Sequence, residues 1–256
     1  ESQNHDILSA FYITEAEEAE GTAVEYKVGD IAIIENGYAF KSKDFINEGV
    51  PIIKIKNVKP NSINSNDLSY VPSNLAVKLS KYQIKKGDIL ITMSGNRIDG
   101  SPDSWVGKVA TFNLDGIFLL NQRVSKIKVN SEKINPNYLN YVLGSFEFQN
   151  YFINKANSSG GQANISPETV RNTIFSAPDI STQISIAEIL CSLDDKIELN
   201  NKINQELETL AQTLFKQWFI DFEFPNENGE HYKSSGGEMV ESELGEIPKG
   251  WELVTI

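Results

Sequence analysis

The chain has one cysteine, Cys191, and two isolated histidines, His5 and His231. A lone thiol excludes an internal disulfide, and this ligand set cannot assemble a four-coordinate zinc framework, so no metal is expected. Equally missing are a GxxxxGK[ST] phosphate loop, a GxGxxG turn after a strand, and the Asp/Asn-Pro-Pro-Tyr/Phe segment of amino-methyltransferases. The nearest approach to paired carboxylates is Asp88 with Asp99, in turn contexts, and Asp194 with Asp195, on the flank of a helix. Neither pair argues for catalysis. Apolar runs are short: Ile89 to Met93 and Ile117 to Leu120 cannot span a bilayer, and no charged-then-apolar leader opens the chain. The expected address is cytoplasmic, with no membrane contact.

Basic charge is also scarce, with 23 Lys and Arg against 35 Asp and Glu, a net of −12. The deficit is uneven. Residues 1 to 30 hold one lysine and eight acids, whereas residues 31 to 180 hold 17 basic and 12 acidic side chains. A mildly basic central domain flanked by acidic segments suits a polyanion partner for the centre and protein or water for the flanks. An ordinary basic domain with no polyanion partner has the same charge balance.

What is present divides into four stretches. Residues 1–23 are a polar, acidic lead-in. Residues 24–180 alternate short β-like runs (Ile31 to Ile34, Val50 to Ile55, Asp88 to Thr92, Lys108 to Phe112, Ile117 to Leu120, Val124 to Val129) with Gly-, Asn- and Asp-rich turns. A helix is predicted over Pro136 to Tyr151, and a shorter one from Ser166-Pro-Glu, where serine caps and proline takes the first position. The fold class is therefore α+β, a mixed α/β domain followed by one long helix. Residues 181–222 contain that helix, and residues 223–256 read as a linker and the start of another domain.

No glycine or proline interrupts residues 181 to 220. Apolar side chains return every three or four positions, and at about 1.5 Å per residue the helix reaches roughly 60 Å. Such a helix is a spacer or an assembly strut with a coiled-coil seam, here Leu193, Ile197, Ile203, Leu207, Leu210, Leu214 and Trp218. Asn200 and Asn204 occupy seam positions. They either fix register inside a pairing or face water where pairing ends.

Three segments carry a family resemblance: Tyr38-Ala-Phe-Lys-Ser-Lys-Asp-Phe45 with Gly49-Val-Pro-Ile-Ile-Lys-Ile-Lys-Asn57; Ile186-Ala-Glu-Ile-Leu-Cys-Ser-Leu-Asp-Asp-Lys-Ile-Glu-Leu-Asn200 with Phe215 to Phe222; and Leu244-Gly-Glu-Ile-Pro-Lys-Gly-Trp251. Together they resemble the specificity subunits of type I restriction-modification systems. That family has two target recognition domains, each followed by a long helix, and the two helices pack antiparallel as a spacer. The resemblance implies half of such a subunit plus the first residues of a second domain, and a chain opening at Glu1 fits a processed or truncated protein. It further implies a non-catalytic chain that binds double-stranded DNA and directs methyltransferase subunits, and through them the restriction/motor subunit, to a bipartite site. S-adenosylmethionine, ATP and magnesium would belong to those partners, with no cofactor here. The unpaired seam implies a homodimer through the long helix. The alternative is a coiled-coil protein-assembly module without direct DNA contact.

Duplex recognition needs cations or backbone amides for phosphates and paired donors and acceptors for base edges. Five loops have that make-up. Lys41 and Lys43 precede a strand, and Lys54 and Lys56 share one face of an expected strand Ile52 to Val58, beside Asn57. Ser94, Asn96 and Arg97 form a glycine-loosened tip; Gln122 and Arg123 end another strand. The polar loop Asn157 to Asn164 brings Ser158, Gly160, Gln162 and Asn164. Arg97, Arg123 and Gln162 are the first choices for bases, and Lys41, Lys54 and Lys56 for phosphates. The same residue types also serve as plain turns and solvated strand faces.

Overall fold

The computed structural model describes residues 23–97, 101–159, 162–243 and 245–252. Contacts divide the chain into two compact units, Glu1–Cys191 and Ser192–Ile256. The acidic lead-in of residues 1–22 lies outside the described residues.

The first unit is built on two four-stranded sheets. In one, the order is Val109–Thr111, Ile89–Thr92, Val124–Val129, Ala32–Asn36, all antiparallel. In the other, it is Ser69–Val71, Val50–Ile53, Phe118–Leu120, Gln83–Ile84, with Val50–Ile53 and Phe118–Leu120 parallel. The expected α+β class holds. The strand Ile89–Thr92 is buried along its whole length, as a run without polar alternation requires. Alternate residues serve two cores: Ile89 and Ile91 join the large cluster around Tyr138, Leu139 and Phe152, while Leu90 joins Ile53, Phe112 and Val124.

Several boundaries move. Ile31 belongs to a single helical turn, Val28–Ile31, and the strand begins at Ala32. The run from Ile52 to Val58 is not one strand: it ends at Ile53, and Ile55–Asn57 is a 3-10 turn. Lys54 and Lys56 therefore do not stand on one strand face. The helix over Pro136 to Tyr151 is two helices, Pro136–Gly144 and Phe146–Lys155. Ser145 is extended between them (φ −67°, ψ 156°), and its hydroxyl accepts from Phe148 N, so it caps the second helix instead of continuing the first. At Pro167–Arg171 the Ser166 cap and first-turn proline form as expected.

The long helix spans Ile180–Phe215, followed by five residues of wider π turn, Lys216–Ile220. Its first turns are fixed within the first unit by Gln183, whose side chain is wholly buried. Gln183 Oε1 accepts from Asn135 N (2.9 Å), and Nε2 donates to Lys133 O (3.1 Å) and Pro178 O (2.8 Å). Ile186, Ala187 and Leu190 complete the attachment by joining the large core. Beyond Cys191 much of the seam is open: Ile197, Ile203, Leu207 and Leu210 are exposed, the last two at 56% and 53%, while Leu193 and Leu214 are half-buried. Asn200 and Asn204 are exposed too. In the second unit Trp251 stacks on Phe224 and Phe224 on Tyr232, beside the hairpin Met239–Ser242/Gly245–Pro248. No helix among the described residues is long and apolar enough to cross a membrane.

Candidate functional site

Three of the polar loops meet at one cleft of about 470 Å³. Its wall carries Ser94, Gln122, Arg123, Gln162 and Asn164, together with Asn36. Met93, Ile165 and Pro167 supply an apolar part. Residues far apart in the chain, Ser94 and Asn164 among them at 70 positions, are thus brought into contact by backbone pairing. The two-residue strand Ser94–Gly95 pairs with Gln162–Asn164, which pairs in turn with Asn157–Ser159. Met93 N donates to Arg123 O (2.9 Å), and Ile165 N to Met93 O (3.0 Å). Gln122 is set by its N–H to Tyr38 O (2.9 Å), beside the Gly37 turn. Gly37 is required there, because a Cβ would stand 2.3 Å from Asn121 O.

Side chains in the cleft are ordered by one another. Arg123 Nη1 donates to Ser94 Oγ (2.8 Å) and Asn164 Oδ1 (2.9 Å), and Ser94 Oγ donates to the same Oδ1 (2.6 Å). Ser94 is 1% exposed, so it supports the cleft from beneath. Ser125 Oγ donates to Asn36 Oδ1 (2.6 Å). The amides of Gln122 and Gln162 are exposed and have no side-chain partner among the described residues. Asn36 was not singled out from the sequence. Its signal lay in Glu35-Asn-Gly37, which reads as a turn, while the neighbour that orients it is 89 positions away.

Other expected residues fall elsewhere. Asn96 and Arg97 are exposed on the segment that continues from Ser94. Asn96 Nδ2 donates to Ser104 Oγ (3.2 Å) and Arg97 Nη2 to Ala156 O (2.6 Å). Lys41 precedes, and Lys43 lies within, a 3-10 turn, Ser42–Asp44, both with their side chains in solvent. Lys54 lies 3.9 Å above the Phe45 ring, and its pKa is lowered by burial and then by Lys56. Lys56 pairs with Asp67. Asn57 has no free surface to offer: it is 1% exposed, and its Nδ2 donates to Asn64 O and Asp67 O while Oδ1 accepts from Lys54 N. It is a loop staple. Ser158 sits in the pairing opposite Ala163, and Gly160 lies outside the described residues.

The segment 101–105 is braced from behind by Lys108, 2% exposed. Its Nζ donates to Asp103 O (2.7 Å) and Ile55 O (3.3 Å), joining this loop to the turn that carries Lys54 and Lys56. Burial, and secondarily Lys59, lowers its pKa to about 8. Among the described residues no group of three or more His, Cys, Asp or Glu is placed to hold a metal ion. Asp88 fits a turn role, its carboxylate accepting from Lys85 N (2.7 Å), and Asp99 lies outside the described residues. What the cleft can do chemically is present amides and one guanidinium on a rigid base, an arrangement for reading polar edges.

Residues 20–209 match the sequence family described as the Type I restriction modification DNA specificity domain. The chain is 28% identical over 228 residues to the putative type I restriction enzyme MjaX specificity subunit of Methanocaldococcus jannaschii, covering 88% of this chain and 49% of that protein. It is 37% identical over 151 residues to the type I restriction enzyme HindI specificity subunit of Haemophilus influenzae, covering 56% and 30% respectively. Among solved structures, the type I restriction-modification system S subunit from M. genitalium aligns with TM-score 0.56 at 14% identity, over 84% of this chain and 54% of that one, a likeness of fold. The chain spans about half the length, or less, of these relatives.

Proposed function

Because the chain belongs to the Type I restriction modification DNA specificity domain family, we propose that its first unit recognises a half-site in double-stranded DNA and that the cleft is where bases are read. The observation that carries this reading is the meeting of Ser94, Gln122, Arg123, Gln162 and Asn164 in a single cleft. Gln122, Gln162 and Arg123 are side chains with the paired or forked groups that base edges require. Exposed Lys41 and Lys43, with Lys56 and Lys54 on the neighbouring turn, supply phosphate contacts that position the domain without specifying sequence. Arg97 reaches bases or phosphate from the adjoining segment.

In this reading the chain needs no cofactor and performs no chemistry itself. Methyltransferase subunits bring S-adenosylmethionine, and a restriction/motor subunit recruited through them brings ATP and magnesium. We further propose that the exposed seam of the long helix, Ile197 to Leu210, pairs with the same seam of a second copy. Two copies so paired carry two recognition units and address a bipartite site in the cytoplasm. The same exposed seam also favours the second reading, an assembly module that never touches DNA.

Retardation of duplex DNA across a salt series, with and without the partner methyltransferase, separates the two. DNA recognition predicts binding whose logarithmic affinity falls linearly with the logarithm of salt concentration. No retardation in either condition would leave only the assembly reading.

A further inference from the structure

The internal bonds of the cleft decide which of its polar atoms remain for a ligand. Asn164 Oδ1 already accepts twice, from Ser94 Oγ and Arg123 Nη1. Asn36 Oδ1 accepts from Ser125 Oγ. Both asparagine carbonyls are therefore turned to protein, and what these residues retain are amide N–H donors, of which Asn164 Nδ2 makes one long bond to Gln162 O (3.3 Å). Arg123 is fastened at Nη1 only, with no partner for Nε or Nη2 among the described residues. An adenine reader must offer an acceptor and a donor together, so Asn164 is disqualified from that role. The groups left on Arg123 itself, Nε and Nη2, are donors only, so the edge that meets the guanidinium is made of acceptors, while the open amides of Gln122 and Gln162 serve neighbouring edges.

Two sources have that chemistry, a phosphate and the major-groove edge of guanine, with N7 and O6 both acceptors. The lining contains no lysine, and besides Arg123 its members are neutral amides, the Ser94 hydroxyl and the apolar Met93, Ile165 and Pro167. Phosphate sites gather charge, whereas a flat heterocycle suits one guanidinium on an amide and aliphatic surround. Resting on the DNA-recognition reading above, we infer that Arg123 is a specificity-determining residue that reads a guanine, and that Ser94 and Asn164 are positioning residues that hold its guanidinium. Anchoring Nη1 removes rotamer freedom before DNA arrives, so the discrimination is not offset by ordering a flexible side chain on binding.

The test is selection of duplexes from a random pool by the full chain, with its methyltransferase partner, followed by affinity measurement on the selected site. Wild-type protein is expected to select a site containing an invariant G·C pair. Arg123→Ala and the charge-preserving Arg123→Lys are expected to relax that one position, each losing on the order of tenfold to a hundredfold discrimination there while other positions stay. Replacing that guanine by 7-deazaguanine should weaken wild-type binding and leave Arg123→Ala unaffected. Asn164→Ala, which unfastens Nη1 but keeps the arginine, should relax the same position partially. Uniform weakening with a shallower salt slope and an unchanged site would make Arg123 a phosphate contact and overturn the inference while leaving DNA recognition intact. Absence of any DNA selection by wild-type protein would overturn both.

Discussion

Replacing Lys108 with methionine keeps the length and apolar body of a side chain that is 2% exposed, while removing its charge. Two effects oppose each other. The variant loses the Nζ bonds to Asp103 O and Ile55 O, and it also removes the cost of burying an ammonium, expressed in a pKa lowered from 10.5 to about 8 by burial first and Lys59 second, with Asp103 opposing. Only the second effect depends on pH. The folded protein releases this proton near pH 8 and the unfolded chain near 10.5, so between those values the unfolded chain holds more protons and wild-type stability rises with pH. Below about pH 8 both states are charged and the slope disappears. From about pH 7.5 to about pH 9.5 the linked gain is about 2 kcal/mol, and the destabilisation caused by Lys108→Met should grow by that amount. Urea unfolding of both proteins across this range measures it, because all other titrating groups cancel in the difference. A destabilisation that stays constant within about 0.5 kcal/mol would refute the reasoning.

Gln183→Ala orphans Asn135 N, Lys133 O and Pro178 O in the core and should cost roughly 2–4 kcal/mol in urea unfolding; a shift below about 0.5 kcal/mol would mean the bonds do not hold the helix start. Gly37→Ala places a Cβ 2.3 Å from Asn121 O, so the melting temperature should fall by several degrees and DNA affinity with it, and an unchanged melt would contradict the close approach. Leu207→Lys with Leu210→Lys puts charges on the exposed seam. Sedimentation should show wild-type self-association that the double variant lacks, with unchanged melting of the first unit, and a wild-type protein that stays monomeric at every concentration would end the second-copy proposal.

Much of this fold is written locally. Val124–Val129 is a strand where alternation places one, and the long helix begins and ends close to its periodicity because nothing within it breaks a helix. Elements that depend on a distant neighbour were hidden. Ile174–Ala177 is a strand only because Val24–Lys27 pairs with it, and Ser94–Gly95 is too short to show any period. Ser145 could have continued a helix; its hydroxyl instead accepts from Phe148 N, a competition that composition does not resolve. The site followed the same division. Residue type singled out Arg123, Gln122 and Gln162, yet nothing in the sequence distinguishes Ser94 and Asn164, which hold a neighbour, from residues that meet a ligand. Asn57 shows the reverse error, a DNA-suited side chain spent on its own loop.

The central claim is that this cleft, and not charge elsewhere on the domain, chooses sequence. Competition of the selected duplex against unrelated DNA at one fixed salt concentration, for wild-type protein and for the combined Gln122→Ala, Arg123→Ala, Gln162→Ala variant, tests it most directly. The preference for the selected duplex should collapse in the variant while affinity for unrelated DNA changes only a few-fold. An undiminished preference in the variant would contradict it.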